Sequence, residues 1–261
     1  MIELPIELVV YICDYLDDKD KFSIFFTCKL LRNCSNLIHL KKFYTYYKIK
    51  NFMNEFKFYK IWYFFDGKNI PYGITDLCFP NSFNESINNI PDSISNLVFG
   101  KNFNQPLNES YLEKTLPNLR ELTFGENFNQ SIKYLPKSVI KLTFLGPFNE
   151  EIHGKIPHGI KYLTFSISFK GCIPDSVTHL TLGSGFYSPL IESVNYVLKF
   201  NSYPININFD YDSDNGNLIP VISNLTFKSL LPSGLTHLTL SKRLYKENKY
   251  LLDPKIKITL V

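Results

Sequence analysis

The sequence lacks the common spacings by which proteins hold phosphates, activate nucleophiles or chelate metals. It has no Gly-x-x-x-x-Gly-Lys-Ser/Thr loop and no Gly-x-Gly-x-x-Gly turn. Gly183-Ser184-Gly185 falls short of the Gly-x-Ser-x-Gly elbow and follows an apolar triplet, so it reads as a turn. Five cysteines (Cys13, Cys28, Cys34, Cys78, Cys172) are scattered, odd in number and never at Cys-x-x-Cys spacing. Each sits in an apolar pattern, which predicts free buried thiols in a reducing compartment. His153 and His158 flank Pro157 with no carboxylate or thiol at a ligand spacing. His179 and His237 fall in equivalent positions that the spacing places three or more repeats apart, too far to share an ion. The chain is therefore expected to be no enzyme, with no catalytic residue, no cofactor and no metal.

Long apolar runs are missing too. No stretch of 18 apolar residues occurs, so no membrane span is expected. Glu3 and Glu7 stand where a secretory leader would be basic, and a soluble, cytoplasmic protein is expected.

What is present is an aromatic, asparagine- and isoleucine-rich chain of 261 residues, with 23 Phe, 17 Tyr, 25 Asn and 26 Ile. Hydrophobic residues at 44% and charged residues at 20% supply enough material for a core and exclude wholesale disorder. The formal charge of +4 is uneven. Between Asn36 and Asn69 seven lysines face only Glu55 and Asp66. Interleaved Lys and aromatic side chains suit single-stranded nucleic acid, but no RNA-binding module surrounds them. Residues 41–69 are assigned instead to a helical linker or cap over the first repeat of the array that begins at Ile70.

Near the N-terminus, Pro5 suits a first helical turn, and Leu8, Val9, Ile12, Tyr15 and Leu16 share a face at helical spacing. Asp17, Asp18 and Asp20 offer a cap for a second helix carrying Phe22, Phe25 and Phe26, and a third runs through Leu30, Leu31 and Leu37. Three such short helices cannot bury this surface alone; they need a partner or the next domain. A helical cap on a repeat array is one outlet.

From Ile70 onward the chain repeats. Ile/Leu-Pro opens units at Pro71, Pro91, Pro117, Pro136, Pro157 and Pro174. A Leu-x-aromatic/Leu triplet comes after each: Leu77–Phe79, Leu97–Phe99, Leu122–Phe124, Leu142–Phe144, Leu163–Phe165 and Leu180–Leu182. Further triplets stand at Leu225–Phe227, Leu238–Leu240 and Ile258–Leu260, with degenerate rungs expected at Leu198–Phe200 and Ile207–Phe209. One alternating strand per unit of about 20 residues is the mark of a solenoid. The outer residues of each triplet point inward, and the middle residue and the one before the triplet point outward. The middle column (Cys78, Val98, Thr123, Thr143, Thr164, Thr181, Thr226, Thr239) is small and mostly β-branched. The preceding column, Asp76, Asn96, Glu121, Lys141, Tyr162, His179, Asn224 and His237, changes chemistry at nearly every rung. It is the expected target-binding stripe, on a groove on the order of 40 Å long at about 4.8 Å per strand.

These residues carry two resemblances. Leu4-Pro5-x-Glu7-Leu8, Ile12, Tyr15-Leu16, Asp20, Phe22 and Cys28-Lys29 resemble the F-box pattern over about residues 2–40. That resemblance implies docking on a Skp1-like subunit of a cullin-RING ubiquitin ligase through Leu4, Pro5, Leu8, Ile12, Tyr15 and Leu16. The unit Ile90-Pro91-x-Ser93-Ile94-x-x-Leu97-x-Phe99-(x)3-Phe103-Asn104-Gln105 resembles the FNIP repeat, convincingly over about residues 70–190. F-box and FNIP repeats together are similar to proteins of amoebae and the giant viruses that infect them, which would make the compartment a host cytoplasm.

The expected architecture is thus α+β. An F-box-like helical module (1–40) and a linker (41–69) precede a leucine-rich-repeat-like β-solenoid of FNIP repeats (70–261), irregular at 191–218. The implied role is a substrate receptor of an SCF-type ubiquitin ligase, binding a Skp1-like protein and a target protein. The alternatives are a plain interaction scaffold whose helices only cap the array, and an RNA-associated protein using the Lys-rich segment.

Overall fold

A computed structural model describes residues 5–27, 29–87, 89–107, 116–149, 154–186, 191–192, 208–211, 218–221, 228–229, 231–249 and 252–261. Leu4, Cys28 and the proposed column residue Asn224 lie outside them, as does the triplet Leu225–Phe227.

Three short helices open the chain: α1 (Ile6–Asp14), α2 (Asp18–Thr27) and α3 (Lys29–Arg32). Asp17 caps α2, its carboxylate accepting the N–H of Asp20 at 2.8 Å. Strand β1 (His39–Thr45), the short helix α4 (Tyr46–Ile49) and strand β2 (Lys57–Phe64) come next. The segment expected as a helical linker over 41–69 therefore holds the end of β1, a single helical turn and the whole of β2. The reason lies in the alternation of residues 57–64, where Ile61 and Tyr63 are buried and Lys57, Tyr59 and Phe64 are not wholly covered. A run dense in aromatic residues fits a pleated, half-buried surface better than a helix.

One strand per repeat then continues the same sheet: β3 (Asp76–Cys78), β4 (Asn96–Val98), β5 (Glu121–Phe124) and β6 (Lys141–Phe144). The short strand β7 (Phe148–Asn149) precedes β8 (Tyr162–Phe165), and β9 (Phe169–Lys170) precedes β10 (His179–Leu182). Between β10 and the next rung lie small antiparallel pairs. β11 (Ile191–Glu192) joins β14 (Lys228–Ser229), and β12 (Asn208–Tyr211) joins β13 (Leu218–Val221). β15 (His237–Leu240), helix α5 (Lys242–Asn248) and β16 (Lys257–Leu260) close the described chain. The main sheet is ten-stranded and parallel, ordered β1-β2-β3-β4-β5-β6-β8-β10-β15-β16.

That order corrects the expected count of rungs. β10 pairs directly with β15, so the rung that follows His179–Leu182 in the main sheet is His237–Leu240. Phe209, expected in a degenerate rung, belongs to the antiparallel β12–β13 hairpin. Asp175 bridges the excursion: its carboxylate accepts both the N–H and the hydroxyl of Ser233, 58 residues on. These bonds lower its pKa.

Each coil is held by the same local devices. After the Ile-Pro step the proline carbonyl accepts an N–H three residues later, as in Pro91–Ile94, Pro136–Val139, Pro157–Ile160 and Pro174–Val177. The interior is built of columns. Leu77, Leu97, Leu122, Leu142, Leu163, Leu180 and Leu238 are all buried. Phe79, Phe99, Phe124, Phe144 and Phe165 stack rung on rung at 5.5 to 5.8 Å between ring centroids. Phe83, Phe103 and Phe128 form a second stack at 6.1 and 6.2 Å, and Phe99 lies 3.8 Å from Phe103 within its own coil. The asparagine of the Phe-Asn pair serves the next turn. Asn84 Oδ1 accepts the N–H of Asn104, and Asn104 Oδ1 that of Asn129, each at 2.8 Å. These asparagines satisfy backbone, as the repeat pattern predicts.

The first strand's free edge is not left open. Asp18, buried on α2, accepts the N–H groups of Lys41 and Lys42 at 3.0 and 2.7 Å and the Tyr44 hydroxyl at 2.9 Å. Lys21, also buried, donates to the His39 carbonyl at 2.8 Å. A helix thus supplies with side chains the hydrogen bonds that a neighbouring strand would make, which removes an edge prone to foreign pairing.

Candidate functional site

Two surfaces remain after the core is accounted for. The first is on α1. Val9 and Cys13 turn inward onto Phe25, Ile38, Leu40 and Phe56. The other side of the helix leaves Leu8, Tyr11, Ile12 and Tyr15 exposed, Tyr15 to 74%. Of the six residues tied to docking, Pro5, Leu8, Ile12 and Tyr15 lie on this exposed side and Leu16 is half-buried. Leu4 lies outside the described residues. Tyr11 and Tyr15 share a hydroxyl–hydroxyl bond of 2.8 Å one turn apart. A run of large apolar side chains on one turn-spaced stripe, facing away from the core, is what a helix offers to a partner's groove.

The second surface is the sheet's outer face. The variable column is in register: Asp76, Asn96, Glu121, Lys141, Tyr162, His179 and His237 pair successively across adjacent strands. Sequence reasoning missed two members, Trp62 opposite Asp76 and Lys257 opposite His237. Trp62 is hidden in the sequence because the Lys- and aromatic-rich run 41–69 reads as helix; Lys257 directly precedes the closing triplet and is readable there.

The column is not uniformly available, and here expectation needs correction. Asp76 and Asn96 are buried, so the proposed contact stripe does not begin at them. Lys60 reaches over the sheet, its ammonium 3.8 Å from Asp76 and 4.0 Å from Glu121. Asn96 donates to Asp76 at 3.0 Å and the Thr75 hydroxyl donates to the same carboxylate. Further on, Lys141 donates to Glu121 at 2.9 Å. The N-terminal third of the column is therefore a satisfied polar network with little left to offer. The aromatic side chains beside it are open: Phe43 and Phe64 are exposed, Lys60 lies over Phe43, and Trp62 stacks on Phe64.

From Lys141 onward the column faces solvent. Tyr162 is exposed, and His179 and His237 are half-exposed. Tyr162 lies against His179 at 4.5 Å with its ring tilted by 35°, and His179 stacks on His237 at 4.2 Å, the two imidazoles within 6° of parallel. The two histidines are thus on adjacent rungs, not three or more apart. The spacing misled because two strands far apart in sequence, β10 and β15, pair directly. Desolvation, then the neighbouring His237, lowers the His179 pKa.

Of the cysteines, Cys13 is buried and Cys34 and Cys78 are half-buried, with the Cys13 and Cys78 thiols pushed up in pKa chiefly by burial. Cys172 is exposed, against the expectation of a buried thiol. Among the described residues no group of three or more His, Cys, Asp or Glu side chains could hold a metal ion. No helix among them is long and apolar enough to cross a membrane.

Fold and surfaces together define a repeat solenoid of the interaction-scaffold class, with one face of stacked strands and one helical end. Within it are FNIP repeats: the family model described as FNIP Repeat matches residues 83–118, 112–146 and 148–185. No curated protein matches the chain.

Proposed function

We propose that this chain is a non-enzymatic adaptor, the substrate receptor of an SCF-type ubiquitin ligase. In this reading α1 docks on a Skp1-like subunit and the outer face of the solenoid holds a target protein. The observation that carries it is the exposed apolar stripe Leu8, Ile12 and Tyr15, lying on the segment whose sequence resembles an F-box. Such an adaptor accelerates modification by raising the local concentration of the target, so it needs no active site of its own.

The Asp18 and Lys21 contacts to β1 favour a second reading, in which the helices only cap the array. The two are separable because the head has two sides. Capping uses α2 and the inward side of α1, whereas the stripe through Leu8 and Ile12 contributes nothing to it.

A pull-down of the full chain with a Skp1-like subunit decides between them. Adaptor function predicts capture by wild type and its loss in Leu8→Asp, with unfolding unchanged, because an exposed substitution shifts stability by only about 0.5 kcal/mol. Capture by neither protein, or by both equally, leaves the capping reading standing.

A further inference from the structure

The two halves of the outer face differ in charge. The first half carries carboxylates that the fold itself neutralises: Lys60 stands 3.8 Å from Asp76, and Lys141 donates to Glu121 at 2.9 Å. In the second half the four strands β8, β10, β15 and β16 contain no Asp or Glu. Their column runs Tyr162, His179, His237 and Lys257, in register on neighbouring strands. Tyr162 and Lys257 are exposed, with the two histidines half-exposed between them. Two residues further along each strand stands a threonine, from Thr164 on β8 to Thr259 on β16, and strand alternation turns its hydroxyl to the same face. Every side chain of these two columns can donate a hydrogen bond, and Lys257 adds a fixed positive charge.

The geometry of the rings narrows what such a surface takes. Both faces of the His179 ring are covered, by Tyr162 at 4.5 Å and by His237 at 4.2 Å. A ligand therefore meets ring edges. Single-stranded nucleic acid binds by stacking bases on open aromatic faces and fits poorly here. A carboxylate accepts from N–H and O–H groups at ring edges, and bonds to a charged acceptor are the stronger kind. The Thr178 and Thr236 hydroxyls lie 2.9 Å from Nδ1 of their histidines, and a hydroxyl can donate to that nitrogen or accept from it. A carboxylate arriving at Nε2 thus selects the tautomer that donates to it.

We propose that this half of the outer face binds an acidic segment of the target protein, laid in extended form across β8, β10, β15 and β16. Four rungs at about 4.8 Å span about 14 Å, the length of about four or five extended residues. Alternate residues of such a segment share a side, so about two or three Asp or Glu side chains face the columns. This rests on reading the outer face as the target-holding surface, names the chemistry of the target, and uses neither α1 nor a ligase subunit.

The test is fluorescence anisotropy of the full chain with a short labelled peptide alternating Glu and Ser, and with its Gln-for-Glu counterpart. Saturable binding of the acidic peptide is expected, about 10-fold or more tighter than that of the Gln peptide and weaker as salt rises. Lys257→Glu should weaken it about 10-fold or more, because a like charge then faces the segment. His179→Ala combined with His237→Ala should weaken it about 5-fold, with circular dichroism confirming the fold. Lys133→Glu, in the turn before β6, should leave it unchanged. Leu8→Asp should leave it unchanged as well, so loss of ligase docking and loss of this site are read separately. Equal affinity for the two peptides, binding undiminished by Lys257→Glu, or tighter binding of a thymidine oligonucleotide of matched charge overturns the proposal.

Discussion

The carboxylate of Asp18 accepts the backbone N–H of Lys41 at 3.0 Å, joining the second helix to the outermost strand of the ten-stranded sheet. Lys21, one turn further along the helix, lies 3.8 Å from that carboxylate, and both side chains are almost wholly buried. A buried charge is tolerated only while its partners are in place. Asp18→Ala removes acceptors from two N–H groups and one hydroxyl and strands the Lys21 ammonium. It should cost about 3–5 kcal/mol, the usual penalty for breaking a buried pair. The double variant Asp18→Ala, Lys21→Met should recover part of that loss. Urea unfolding of the two variants checks it, and equal destabilisation would mean that the ammonium finds water.

The same carboxylate sets a pH limit. Burial pushes the Asp18 pKa up, but the hydrogen bonds from Lys41, Lys42 and Tyr44 outweigh it and hold it below the ordinary value of 3.8. A depressed carboxylate contributes stability that is present above its unfolded pKa and is lost as pH falls through its folded one. The helical end should therefore loosen below about pH 4, where an unfolded aspartate takes up its proton. Hydrogen exchange at Lys41 and Lys42 should quicken on acidification in wild type. In Asp18→Asn it should already be fast at pH 7 and change little. Protection that persists to pH 2 would contradict this.

A different constraint acts where strands end. Gly100, Gly125 and Gly146 come within two residues of the ends of their strands at successive rungs, and a Cβ at Gly125 would collide with the carbonyl of Gly100. The obstacle is backbone that is itself part of the stack, so it cannot turn aside. Gly125→Ala should destabilise the chain by at least the roughly 1–3 kcal/mol usual for overpacking. Gly67→Ala serves as the comparison: its added methyl meets nothing within 4 Å, and only its positive φ of 86° is penalised. Thermal unfolding should rank Gly125→Ala below Gly67→Ala.

How far the sequence foretold this structure differs from coil to coil. The Leu-x-Phe triplets and Ile-Pro steps state the register outright, because a two-residue side-chain period and a fixed turn leave one way to stack. Residues 57–64 were harder: lysines among aromatic residues suit an amphipathic helix as readily as a strand, and only the burial of Ile61 and Tyr63 decides it. The neighbourhood of His179 and His237 was not legible. A Leu-Thr-Phe triplet at 225–227, outside the described residues, stands between them in sequence, while strand order depends on which segments meet in space. The burial of Asp76 was equally hidden, since it comes from Lys60, on the neighbouring strand, reaching over the sheet.

That unevenness along the column gives a last prediction. Asp76 is fully buried, and Lys60, 23% exposed at its side chain, is its cationic partner. Removing the cation leaves a carboxylate in low dielectric with only neutral donors, so Lys60→Met should destabilise by about 3 kcal/mol or more. Lys141 makes the shorter ion pair, 2.9 Å to Glu121, but its side chain is 49% exposed. Water screens that pair, and Lys141→Met should change stability by only about 0–1 kcal/mol. Denaturant unfolding of the two variants therefore separates rungs that the fold has consumed from rungs left free for a partner. If Lys141→Met proves the costlier, the free surface does not start at Lys141, and target contacts belong to the Tyr162, His179 and His237 stack alone.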